Sequence, residues 1–87
     1  MTKVKGIVAF IDAPERKKEN FSKQLFGIKT DDQNFYFEVI NEKQELLSGI
    51  KVGDTVSVEF AIRCSDWNNN GKTHRFVSLR PAEIEKV

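Results

Sequence analysis

Asn34-Phe35-Tyr36-Phe37-Glu38-Val39-Ile40-Asn41-Glu42-Lys43-Gln44-Glu45-Leu46-Leu47-Ser48-Gly49 is the stretch on which the fold turns. In an extended chain Phe35, Phe37 and Val39 share one face, and Tyr36, Glu38 and Ile40 the other. At Asn41 the period changes. Asn41 is a good N-cap residue, and Gln44 three positions on completes a variant of the capping box. Leu46, Leu47 and Ile50 supply an apolar patch, and Gly49 suits a left-handed C-terminal position. The spacing predicts a helix of about two turns, too short to persist without tertiary packing. A strand therefore runs directly into a short helix that must dock on something.

Working outward, Ser22–Thr30 reads as the strand before it, joined through the turn-forming Asp31-Asp32-Gln33-Asn34. Further upstream, residues 4–11 form an apolar strand in which Gly6 suggests a bulge or a sharp bend. Residues 15–20 form a charged loop without apolar anchors. Downstream, Lys51-Val52-Gly53-Asp54 turns the chain, and Val56, Val58, Phe60 and Ile62 alternate with polar or small residues in a fourth strand. Residues 66–72 read as a polar loop around the strong turn signal Asn70-Gly71. A last strand runs from Thr73 to Leu79 and resumes through Ile84 after Pro81. The core is expected at Phe26, Ile28, Phe35, Phe37 and Val39. Strand, strand, strand, short helix, strand, strand is the order of an all-β, five-stranded oligonucleotide/oligosaccharide-binding (OB) barrel. An SH3-like barrel more often has only a turn at the helix position. The 87 residues make one such domain, residues 1–87.

The net charge of +1 conceals an uneven distribution. Residues 15–30 carry Arg16, Lys17, Lys18, Lys23 and Lys29 against Glu15 and Glu19. Residues 31–59 are acidic, and residues 60–81 are basic again through Arg63, Lys72, Arg75 and Arg80. No apolar run approaches the roughly 20 residues of a membrane helix. The first five residues lack the apolar core of a signal peptide, and the lone Cys64 fits a reducing compartment, so a cytoplasmic protein is expected.

Catalytic constellations are hard to assemble. One Cys and one His, Cys64 and His74, are too few for a zinc site, and nothing in the sequence activates the thiol. Gly27, Gly49, Gly53 and Gly71 stand isolated, without a phosphate loop. Asp31-Asp32 fits a turn better than acid-base chemistry. The reading is a binding protein without enzymatic activity, metal or cofactor.

Binding chemistry is better supplied. Single-strand binding needs cations for phosphates and flat side chains for bases. In an OB barrel the groove crosses strands two and three, rimmed by the loop after strand one and the loop between strands four and five. Those loops hold Arg16, Lys17 and Lys18 on one side and Lys72, His74 and Arg75 on the other. Lys23 and Lys29 lie on strand two. Tyr36, Trp67 and Phe76 are the stacking candidates, with Phe21 as a fourth. Other readings stand beside these: Trp67 covering a barrel end, Tyr36 and Phe76 in a dimer interface, and Arg16-Lys17-Lys18 as a solvated loop. Glu38 has the parity of the groove and opposes an anionic ligand.

Lys23-Gln24-Leu25-Phe26, Phe37-Glu38-Val39-Ile40-Asn41-Glu42-Lys43, Lys51-Val52-Gly53-Asp54-Thr55-Val56-Ser57-Val58, Trp67-Asn68 and Ser78-Leu79-Arg80 carry a resemblance. From Ser22 onward the chain resembles a little-characterised family of small bacterial OB-fold proteins related to single-stranded DNA-binding proteins. The resemblance implies an OB barrel and suggests the binding of single strands; DNA is expected ahead of RNA, with a place in DNA replication or repair, and RNA stays open. It brings no defined set of functional residues.

Two functions are thus expected. One is a sequence-tolerant binder of single-stranded nucleic acid, able also to form a homo-oligomer. The alternative is a protein-interaction or assembly module that uses the same barrel face through Leu25, Tyr36 and Ile40.

Overall fold

A computed structural model describes residues 2–87. Met1, the first residue of the amino-terminal stretch read above, lies outside them. Six strands and one short helix follow in the order β1 (Thr2–Ile11), β2 (Glu15–Lys18), β3 (Phe21–Lys29), β4 (Asn34–Ile40), a 3-10 helix (Asn41–Leu47), β5 (Thr55–Asn69) and β6 (Lys72–Lys86). All pairings are antiparallel. The sheet runs β4-β3-β1-β5-β6, with β2 continuing along the edge of β3 beyond β1. The fold class is that expected, all-β with the five principal strands in OB order. The expected closure is not met. β4 and β6 lie side by side, yet no hydrogen-bonded ladder joins them, so the sheet curves without becoming a closed barrel.

The core lies inside that curve. Phe26, Ile28, Phe37 and Val39 are buried as expected, together with Val8, Leu47, Val56, Val58 and Phe60. Phe37 stacks on Phe26 at 5.1 Å between centroids and meets the Phe60 ring edge-on at 5.2 Å. Phe35 is only partly buried and packs at the core's margin. Burying each such ring contributes about 2–3 kcal/mol.

Several expectations need correction. Residues 15–18 are strand rather than loop. All four are exposed, so no apolar pattern marks them, and the ladder to β3 alone holds them extended. The helix is 3-10, and its N-cap is Ile40 with no side-chain cap. Asn41 has φ 51 and turns its Oδ1 toward β3, accepting from the Ser22 N–H at 3.0 Å. Gln44 donates to the Ser22 Oγ at 2.9 Å. The two residues read as a capping box therefore tie the helix to the start of β3 instead. The apolar patch behaves as expected: Leu47 is buried, and Leu46 and Ile50 pack against the core.

In β1 the register shift lies between Val8 and Phe10, not at Gly6. Gly6 marks the place where β1 passes from pairing β5 to pairing β3. A Cβ there would lie 2.7 Å from the Lys29 carbonyl oxygen, so the crossing needs a glycine.

The largest difference is at residues 63–80. The polar stretch 66–72 is not a loop. β5 and β6 stay paired out to Asn69 and Lys72, and only Asn70 and Gly71 turn the chain, with φ 51 and 79. Two successive positive φ values match the twist of a right-handed two-stranded ribbon, which is why Asn-Gly serves here. Pro81 falls at the bulge opposite Phe60, where a missing N–H is tolerated. The result is a long arm that leaves the body of the sheet beyond Ala61.

Candidate nucleic-acid interface

Directly opposed residues of an antiparallel pair share a face, so the registers sort every side chain. On β3 and β4 the outer face carries Lys23 opposite Ile40, Leu25 opposite Glu38, Gly27 opposite Tyr36 and Lys29 opposite Asn34. Tyr36 is 60% exposed. On the other side of Gly27 sits Phe10, brought to this face by the register shift in β1. Its ring covers Gly27 so closely that a Cβ there would collide with it. Phe10 and Tyr36 meet across the glycine at 5.6 Å between centroids, tilted by 58°. This aromatic pair is the centre of the outer face. Sequence reasoning found Tyr36 and missed Phe10; Gly27 inside a strand was the signal of a close approach from above.

Beside the pair lies an ion cluster. The Glu38 carboxylate is 3.2 Å from Arg80 Nη2 and 3.6 Å from Lys23 Nζ. The acid that opposed an anionic ligand is thus shared between two cations, and the cluster carries a net positive charge. It also joins β4 to β6 across the open side of the sheet. Arg80 was not among the expected site residues; only the register of β6 places it here.

The same face continues onto the arm. Ala61, Arg63, Ser65, Trp67 and Asn69 of β5 oppose Arg80, Ser78, Phe76, His74 and Lys72 of β6. Trp67 and His74 form a cross-strand pair with ring centroids 5.3 Å apart. Phe76 is their neighbour on the same face, and Trp67 and Phe76 are each more than half exposed. Parity therefore gathers Arg63, Trp67, Lys72, His74 and Phe76 on one side of the ribbon. Arg75 goes to the opposite side, facing Asp66 across the ladder. That opposite side also carries Ile62, Cys64 and Val77, so Cys64 and His74 lie on different faces and form no nucleophile pair. Among the described residues no cluster of His, Cys, Asp and Glu suits a metal ion.

The two basic stretches do not meet. β4 and β6 run in the same direction, as the Glu38–Arg80 contact and the cleft shared by residues 33–38 and 77–79 require. The arm therefore extends past the Asn34 end of β4, whereas β2 pairs with β3 near its Ile40 end. Arg16, Lys17 and Lys18 stand at one end of the outer face and Lys72 at the other. Two of the three are engaged locally: Lys17 Nζ lies 2.7 Å from Glu15, and Arg16 donates to the Glu19 carbonyl at 3.1 Å. The Lys17 ammonium holds the Glu15 carboxyl below its usual pKa. Elsewhere on the outside, Glu59 opposes Glu83 on β5 and β6 with Glu85 nearby, and this acidic area bounds the basic face on the β1 side.

No helix among the described residues is long and apolar enough to cross a membrane. A comparison with curated protein sequences gives no match. Among solved structures, the chain is similar to the mitochondrial single-stranded DNA-binding protein Rim1 of S. cerevisiae. The TM-score is 0.60 at 19% identity, covering 99% of this chain and 90% of that one. A selenomethionine-labelled crystal of Rim1 gives a TM-score of 0.59 at 15% identity, covering 99% and 92%. At that identity the likeness concerns the fold, which is the OB fold of single-stranded DNA-binding proteins. In sequence, residues 3–85 match the family described as Domain of unknown function (DUF3127), and the chain belongs to that family.

Proposed function

We propose that this chain binds single-stranded nucleic acid, DNA in preference to RNA, with little dependence on sequence and without catalysis. The observation that carries the reading is the continuous outer face, where exposed aromatic rings alternate with unburied cations from the Phe10–Tyr36 pair to the tip of the arm. Bases would stack on Tyr36 with Phe10 behind it, and on Trp67 and Phe76. Each stacked base contributes about 1–3 kcal/mol. Lys29, Arg63, Lys72 and the Lys23–Arg80 pair would meet phosphates along the way, and Lys18 beyond them. The likeness to a mitochondrial single-stranded DNA-binding protein supports DNA as the strand.

The test is fluorescence anisotropy of a labelled thirty-base oligothymidine, titrated at low and moderate salt with the chain and with Tyr36→Ala. Saturable binding that weakens with salt is expected, because each neutralised phosphate releases counterions. Tyr36→Ala should weaken it by about 5- to 100-fold, the loss of one stacked base. A stable oligomer that ignores the oligonucleotide at tens of micromolar protein would refute this reading. It would establish the assembly module, built on Leu25, Tyr36 and Ile40, in its place.

A further inference from the structure

Where β4 and β6 fail to pair, the sheet opens as a cleft of about 480 Å³. That volume is within the range of small-ligand sites, roughly 300–1,000 Å³. Leu25, Tyr36 and Leu79 supply apolar and aromatic wall, and Gln33, Asn34 and Ser78 supply polar groups.

The polar groups are neutral and uncommitted. Gln33 bonds Thr30 through its backbone N–H and carbonyl, which leaves the side-chain carboxamide to the cleft. Asn34 follows it at the first position of β4. Ser78 Oγ accepts from Arg80 Nε at 3.1 Å and so keeps its own hydrogen to donate. The one charge lining the cleft, Glu38, is already matched by Lys23 and Arg80. Such a site does not suit a phosphate. It suits a flat, neutral heteroaromatic ring with donors and acceptors along its edge.

We infer that the cleft takes one base of the bound strand and reads its edge through the Gln33 and Asn34 carboxamides. Adenine is the base favoured, because its N6 amino group lies between the acceptors N7 and N1 and can take a two-point contact from each of two carboxamides, whereas cytosine offers one such edge, N4 with N3. This rests on the single-strand reading and sharpens it. Tyr36 serves both parts of the interface, with Phe10 on one side of it and the cleft on the other. Stacking on the outer face tolerates any base, while the cleft adds a preference at one nucleotide.

The experiment measures affinities for oligodeoxyadenylate, oligodeoxycytidylate and oligothymidine of equal length at low salt. It uses the natural chain and the double variant Gln33→Ala, Asn34→Ala, two exposed positions outside the core. Adenine strands stack on themselves whatever the protein does, so the diagnostic quantity is the change in the adenine-to-cytosine affinity ratio between the two proteins. That ratio should fall by about fivefold or more in the variant, the lower end of what a two-point amide–base contact discriminates. Oligothymidine affinity should change by less than that ratio. An unchanged ratio, or an equal loss on all three strands, overturns the base-reading role and leaves single-strand binding intact. No binding of any strand by the natural chain overturns both.

Discussion

The alternation Val56, Val58, Phe60, Ile62 runs unbroken through β5, yet its two halves meet opposite fates. Phe60 is 3% exposed and Ile62 is 60% exposed, although both point to the same side of the strand. On β6, Ile84 packs against the core while Val77 is 71% exposed. The body half has β3, β4 and the helix beneath it; the arm meets the body only along the cleft beside β4, at Val77, Ser78 and Leu79. Alternation therefore announces a strand but not a core, because burial depends on what the rest of the chain lays against the face. On the proposed function the division also separates the residues that hold the fold from part of the binding surface. The body holds the domain together, and the arm presents Arg63, Trp67, Lys72, His74 and Phe76 without having to bury them.

Substituting in the two halves should expose that division most plainly. Phe37→Ala empties a ring site shared by Phe26 and Phe60 and should cost about 3–5 kcal/mol. A domain of this size has only about 5–15 kcal/mol in total, so its denaturant midpoint should fall sharply. Trp67→Ala on the arm should shift the same midpoint by about 1 kcal/mol or less, since the residue is 54% exposed and outside the core. A comparable loss from Trp67→Ala would show that the arm belongs to the cooperative unit.

Gly27→Ala sharpens the comparison from the other side, because it acts on recognition within the body. The added methyl collides with the Phe10 ring and pushes it away from Tyr36. Oligonucleotide affinity should fall by about tenfold, a stacking contribution near the low end of its usual range, with a smaller loss of stability. Affinity unchanged in a folded variant would remove Phe10 from the interface.

The smallest effect concerns acid. The Lys51 backbone N–H, at 2.8 Å, and then the Lys86 ammonium hold the Asp54 carboxyl below its usual value of 3.8. A carboxyl depressed in the folded state stabilises it fully above the ordinary carboxylate range. That contribution is lost as the pH falls through and below the range. The thermal midpoint of Asp54→Asn should therefore decline less between about pH 6 and pH 3 than that of the natural chain. Equal declines would show that this contact adds nothing.

Much of the architecture was legible because it is local. Period-two runs at residues 22–30, 34–40 and 56–62, a change of period at Asn41 and the Asn70-Gly71 turn each depend on a few neighbouring residues. Strand parity alone put Tyr36 outside and Phe37 inside. Arg16–Lys18 showed no strand signal, since a strand exposed on both faces has no apolar period to display. Asp66–Lys72 looked like a loop because polar composition describes solvent exposure, and a paired ribbon in water is as polar as a loop. Asn41 and Gln44 had the right types for a cap but found a nearer partner in Ser22.

The amino-acid sequence by itself determined the strand order, the docked helix, the aromatic core and the supply of cations and rings for the proposed single-strand interface. Only the tertiary structure decided which of them share a surface. It set Phe10 over Gly27, turned Arg75 away from His74, moved Arg16–Lys18 to the far end from Lys72 and placed Arg80 against Glu38. Those relations follow from ladder registers and from one register shift, and pairing between strands distant along the chain leaves no mark in the local spacing of residues.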